Sequence, residues 1–211
     1  MTEIRAAIFD IGGVLTHSPV TAIVTFTRDH GIADASRTRI FAGNDSAWSR
    51  FERSELSPAG FAKEFDVILS EEGGNATGEQ FLAWFGKGFG QRPEMFAVVR
   101  ALQGKVRLGA ITNNVANENP DPTRVSGANV HGLFEVVIES AKVGLRKPEP
   151  AIYQMACDAL SVPPHQAVFL DDMGVNLKGA QALGMATIKV DHTLSAIDEL
   201  EALVGFPLPR P

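Results

Sequence analysis

Apolar runs alternating with helical stretches, interrupted once, predict an α/β fold: a parallel sheet covered by helices on both faces, with a small helical insertion after the first strand. Three observations carry this. Runs such as Ala6 to Phe9 and QAVFL are short and apolar, as strands buried on both faces require. From Pro93 onward such runs alternate with amphipathic segments of helix length, the pattern of parallel strands joined by crossover helices. Between Pro19 and about Phe96 the period is helical and no strand is evident.

Taken in order, Ala6 to Phe9 is the first strand, Asp10 ends it, and Gly12-Gly13 break the chain into a tight turn. In the insertion, VTAIVTFTRDHG closes on Gly31, and DSAWSRFERSEL opens on Asp45 or Ser46. SPAGFAKEFDVILSEEG has Ser57 as N-cap, Pro58 at the first helical position and Gly73 as its stop, and TGEQFLAWFGKGF adds one more amphipathic piece. The aromatics Phe41, Trp48, Phe51, Phe61, Phe65, Phe81, Trp84 and Phe85 are expected to form helix-packing core rather than a ligand box. Arg50 and Arg53 are expected to be solvated. Next come a helix in PEMFAVVRALQGK, a strand in VRLGAIT ending at Thr112, and a polar loop, NNVANENPDPTRVSGANVHG, of a length usually functional or mobile. Strands FEVVIES, QAVFLDD and MATIKV then alternate with helices PEPAIYQMACDALS, VNLKGAQALG and SAIDELEALVG, and the proline-rich tail GFPLPRP cannot extend the last helix.

Composition narrows the function classes. The 211 residues carry 19 basic and 25 acidic side chains, a net charge of −6 without any Lys/Arg block, so a nucleic-acid partner is not expected. No stretch reaches the roughly 18 to 20 apolar residues of a spanning helix, and MTEIRAAIFD lacks a signal-peptide pattern. The expected location is therefore cytoplasmic. Cys157, the only cysteine, lies at helical spacing and reads as core, and five scattered histidines exclude a HxxxH zinc site.

The chemistry lies at the strand ends. Asp10 alone reads equally as a functional carboxylate or a turn cap. Thr112 and Asn113 end the next strand, Asp171-Asp172 end QAVFL, and Lys147 stands just before a helix-opening proline. In a parallel sheet these converge on one edge. Clustered carboxylates suit a hard divalent cation, a lysine and a hydroxyl neutralise phosphate oxygens, and one carboxylate can attack phosphorus. Magnesium fits phosphate better than calcium, since it shares its octahedral shell among carboxylates, water and substrate oxygen.

FDIGGVL, AITNN, VGLRKPEP and VFLDD, in this order and spacing, resemble the four motifs of the haloacid dehalogenase superfamily, and the helical insertion resembles its C1 cap. The likeness extends over essentially the whole chain. It is strongest to the branch holding the phosphatase-like N-terminal domain of soluble epoxide hydrolase and the related domain fused ahead of some acyl-CoA dehydrogenases. The resemblance implies a Rossmann-like core, residues 1–16 and 95–211, with a cap at 17–94. It implies a magnesium-dependent phosphohydrolase acting on a small phosphorylated metabolite. Asp10 would be the nucleophile, and Asp10, the Gly12 carbonyl and Asp172 would hold magnesium, with Asp171 a further ligand or a supporting group. Gly12, Gly13, Thr112, Asn113 and Lys147 would bind the phosphoryl group, Lys147 balancing its charge, and Asn176 would orient water around the ion.

One position departs from the family. Its active phosphatases carry an aspartate two residues after the nucleophile, as general acid and base; this chain has Gly12. Loss of that help costs about a hundredfold to ten-thousandfold, so slow hydrolysis is expected. Three ways round it are open: a leaving group that needs no proton, such as an acyl or anomeric phosphate; His17 as the acid; or no catalysis. Two alternatives to a phosphatase follow, a metal-independent dehalogenase and a pseudo-phosphatase that only binds phosphate and magnesium.

Overall fold

The structure, a computed structural model, describes residues 3–115, 124–125, 128–130 and 132–210. It opens with β1 (Ala6–Phe9), followed by α1 (Pro19–Asp29), α2 (Asp34–Phe41), α3 (Ala47–Glu52), α4 (Pro58–Glu72), α5 (Gly78–Phe85), α6 (Pro93–Leu102) and β2 (Arg107–Thr112). The remainder runs β3 (Arg124–Val125), β4 (Ala128–Asn129), β5 (Val136–Glu139), α7 (Ser140–Val143), α8 (Pro150–Leu160), β6 (Ala167–Asp171), α9 (Gly174–Ala182), β7 (Ala186–Lys189) and α10 (Thr193–Val204).

The predicted α/β class is the one observed. Five strands form a parallel sheet in the order β5-β2-β1-β6-β7, with β1 central and wholly buried. Side-chain alternation along β1 divides the core in two. Ala7 and Phe9 face a layer built with α6 and α10, while Ala6 and Ile8 face one built with α8 and α9, where Cys157 is buried as filler. Sequential parallel strands need long crossovers, and the amphipathic helices supply them.

The helices between β1 and α6 make a third apolar cluster of their own. All eight aromatics singled out above pack into it or against it, Phe61, Phe65 and Phe81 with no exposure. Local chemistry sets the helix starts: Ser46 rather than Asp45 caps α3, Ser57 accepts from the Gly60 N–H ahead of Pro58, and Thr77 forms a capping box with Gln80. Helix α2 escaped the periodicity because DASRTRIF buries only Ser36 and Ile40. Two further expectations need correction. Strand β5 stops at Glu139, because the backbone turns into α7 at Ser140, whose hydroxyl donates to the Asn114 carbonyl. The loop from Asn113 to Asn129 contains an antiparallel pairing of β3 with β4, and most of its other residues lie outside those described.

Among the described residues, several contacts fasten the insertion to the rest of the chain. Its two connections pair with each other: the Arg92 N–H donates to the Leu15 carbonyl, and that of His17 to Gly90, both at 2.8 Å. Farther out, Glu52 of α3 accepts from Arg146 Nε at 2.7 Å and from the Trp48 indole at 2.7 Å, and the Ser54 hydroxyl donates to the Ala141 carbonyl. Nor are Arg50 and Arg53 simply solvated; Arg50 pairs with Glu64, and Arg53 with Glu55 and, at 3.6 Å, Glu149.

Burial raises the Glu52 carboxyl above its ordinary value and Arg146 opposes it. Removing one partner of a buried pair strands the other charge. Arg146→Met is therefore expected to lower stability by about 3 kcal/mol near neutral pH. With the cation gone, a raised carboxyl favours folding only while protonated, so the deficit shrinks as pH falls toward 4. Denaturant unfolding of wild type and variant at two pH values measures both effects.

Candidate active site

Strand register assembles the polar groups. Phe9 lies opposite Leu170 on β6 and Ala110 on β2, so the next residue, Asp10, stands beside Asp171 and one level short of Thr112. All lie at C-terminal strand ends, where open parallel sheets bind ligands. Asp10, Asp171 and Asp172 each offer a carboxylate oxygen within 4.8 Å of the others. Lys147 Nζ, 1% exposed, lies 2.7 Å from Asp10 Oδ2 and 2.7 Å from Asp171 Oδ2.

Each of these groups is held by neighbours. The Asn113 amide clamps Lys147: its Oδ1 accepts the Lys147 N–H at 2.8 Å and its Nδ2 donates to the Lys147 carbonyl at 3.0 Å. Asn114 ties the end of β2 to Glu139 and Ala141. Asp171 has both oxygens engaged, accepting from the Met173 N–H, from Lys147 and from Asn176 Nδ2, which reaches both oxygens at 3.0 Å. The Asn176 side chain is thus turned toward Asp171. Thr112 is buried at the end of β2.

The glycine turn matters for different reasons at its two positions. Gly13 has φ +83°, and a Cβ there would collide with the Asp172 carboxylate. At Gly12 a Cβ would lie 3.0 Å from Pro19 Cγ, a tight contact that a small shift of the proline ring relieves. His17 is exposed, and its ring lies against Gly90.

Burial pushes the Asp10 carboxyl well above the usual carboxylate range; Lys147 opposes it, while Asp171 and Asp172 add to it. Asp172 is raised for the same first reason, against a bond from Ser18. Burial works against the Lys147 ammonium, yet Asp10 and Asp171 outweigh it and hold its pKa above the ordinary value. With all three carboxyls ionised, three negative charges against one positive would leave the cluster short of positive charge. A hard divalent cation fits both that deficit and an all-oxygen donor set.

Sequence reasoning did not find Ser18, whose hydroxyl donates to Asp172 Oδ2 at 2.7 Å across 154 residues of sequence. Before Pro19 it reads as a helix cap, and nothing local points to Asp172. The side-chain contacts of Asn113 and Asn114 likewise join residues far apart in the chain and have no local signal.

A model of haloacid dehalogenase-like hydrolases matches residues 4–184. The chain is 35% identical over 221 residues to mouse acyl-CoA dehydrogenase family member 10, and 29% identical over 221 residues to bifunctional epoxide hydrolase 2 of Sus scrofa. Each alignment takes 97% of this chain, but only 19% and 40% of those longer proteins. Sesquiterpene phosphatase astK of Aspergillus oryzae is 30% identical over 210 residues, with 97% of this chain and 98% of that one covered. Among solved structures, a Bacteroides thetaiotaomicron enzyme of the same family, crystallised with magnesium and inorganic phosphate, superposes with a TM-score of 0.64. It is 22% identical, with 88% and 93% of the two chains covered, and shows the shared fold.

The two glycines predict opposite tolerance. Gly13→Ala combines a left-handed backbone with loss of the space Asp172 occupies, and is expected to cost more than about 1 kcal/mol. Gly12→Ala asks only a few tenths of an ångström of the Pro19 ring and is expected to cost less than half as much. Thermal unfolding of the two variants side by side checks the order.

Proposed function

Since the chain belongs to the haloacid dehalogenase-like hydrolases, we propose that it is a magnesium-dependent phosphohydrolase of a small organic phosphate, acting through a phosphoryl-aspartate on Asp10. The observation that carries this is the charge of the site, three converging carboxylates against one buried ammonium. A dehalogenase attacking carbon without metal has no use for that surplus. The name of the Aspergillus relative, which the chain matches over nearly its full length, supports phosphatase chemistry, and the Bacteroides complex supports magnesium and phosphate as ligands.

Asp10, Asp172 and the Gly12 carbonyl would hold the ion, while Asp171, whose oxygens are already engaged, orients Lys147. Bound magnesium supplies Lewis-acid charge neutralisation at a phosphoryl oxygen. Asp10 attacks phosphorus, the ester P–O bond breaks, and the departing oxygen takes a proton from water. Water then attacks the phosphoryl-aspartate, releasing phosphate and restoring the Asp10 carboxylate. Lys147 offsets the charge that would otherwise keep two anions apart. Thr112, the Asn113 N–H and the Gly13 turn bind the phosphoryl oxygens, and the helices at 17–94 act as a cap over residues 1–16 and 95–211.

Position 12 carries no acid, and a Cβ there would press on the Pro19 ring at 3.0 Å. Turnover of ordinary alkyl phosphates is therefore slow. The same packing favours a second reading, a domain that binds phosphate and magnesium without turnover.

Phosphate release from p-nitrophenyl phosphate, acetyl phosphate, sugar phosphates and lysophospholipids, with and without magnesium, separates the two. A phosphatase needs the metal and loses about a thousandfold or more in Asp10→Asn. Gly12→Asp combined with Pro19→Ala is expected to raise alkyl phosphate turnover toward the hundredfold that an acid contributes. Magnesium-linked stabilisation with no turnover on any substrate would establish the binding domain instead.

A further inference from the structure

Ser18 occupies the N-cap position of α1, with extended backbone and Pro19 behind it, yet its side chain makes no capping bond to the helix. Its hydroxyl donates instead to Asp172 Oδ2 at 2.7 Å. A serine in this setting ordinarily satisfies one of the orphan N–H groups of the first turn, so the diversion leaves a normal stabilising contact unmade. Asp172 is confined on another side as well, because the Cβ that Gly13 lacks would lie within its carboxylate. Asp172 is also the least buried of the three clustered carboxylates and the one without a contact to Lys147. Asp10 and Asp171 are each fixed by the ammonium; Asp172 has the serine.

We propose that Ser18 is a positioning residue for metal binding: by engaging one oxygen of the Asp172 carboxylate it fixes that group's orientation beside Asp10, with which it would hold a divalent cation. This rests on the magnesium-dependent reading of the site. Groups that hydrogen-bond a metal-ligating carboxylate fix its orientation before the metal arrives, and their removal typically costs ten- to a hundredfold in metal affinity. Ser18 also belongs to the connection entering the insertion, so the group that orients the carboxylate comes from outside the sheet that carries it.

The test is calorimetric titration of the whole chain with magnesium chloride, without substrate, for wild type, Ser18→Ala and Ser18→Thr. Ser18→Ala makes no change to helix capping but loses the bond to Asp172, so it is expected to fold and to melt a few degrees below wild type in the absence of metal. With magnesium, its affinity is expected to fall about tenfold or more, and threonine, which keeps the hydroxyl, to restore most of it. Equal affinity in wild type and Ser18→Ala overturns the role of Ser18 and leaves the magnesium site standing. Failure of the wild type itself to bind magnesium overturns the site as well.

Discussion

The ammonium of Lys147 is the interaction on which the rest of this site depends. It is almost completely withdrawn from water and touches two carboxylates at 2.7 Å. Asp10 and Asp171 end adjacent parallel strands, and without a cation between them the register that aligns β1 with β6 would force like charges together. An isolated buried charge is untenable, so lysine and carboxylates are present together or not at all. The supporting contacts then make sense: Asn113 fixes the lysine backbone, Asn176 and the Met173 N–H fix Asp171, and Arg146, the neighbouring residue, is anchored by Glu52.

Much of this was legible in the sequence, for identifiable reasons. A strand buried on both faces must be apolar, so a polar residue ending such a run stands out, and Asp10, Thr112 and Asp171 all end strands in that way. Parallel topology then brings them to one edge without further information. The start of α4 was readable because its cap, Ser57, is local. What stayed hidden depends on partners far apart in the chain. Ser18 reads as a cap and serves Asp172; Arg53 reads as a surface charge and faces Glu149; Glu52 looks like any helix-end acid until α3 meets Arg146. Helix α2 was hidden for another reason, since it lacks the apolar stripe that periodicity detects.

The two adjacent glycines show how one dipeptide carries separate constraints. Gly13 is required by backbone sign and by its closeness to Asp172, a structural demand independent of any reaction. Gly12 is under no such conformational demand, and what presses on it is Pro19, the first residue of the following helix.

The paired connections Leu15–Arg92 and His17–Gly90 bring the two ends of the helical insertion side by side. A segment whose ends already meet imposes no span on the body it leaves and re-enters, and closing it costs only slowly more as it lengthens. Because that segment also has an apolar interior of its own, it behaves as an exchangeable module. The sheet could carry a longer, shorter or differently folded attachment at the same doorway, with the strand ends left as they are.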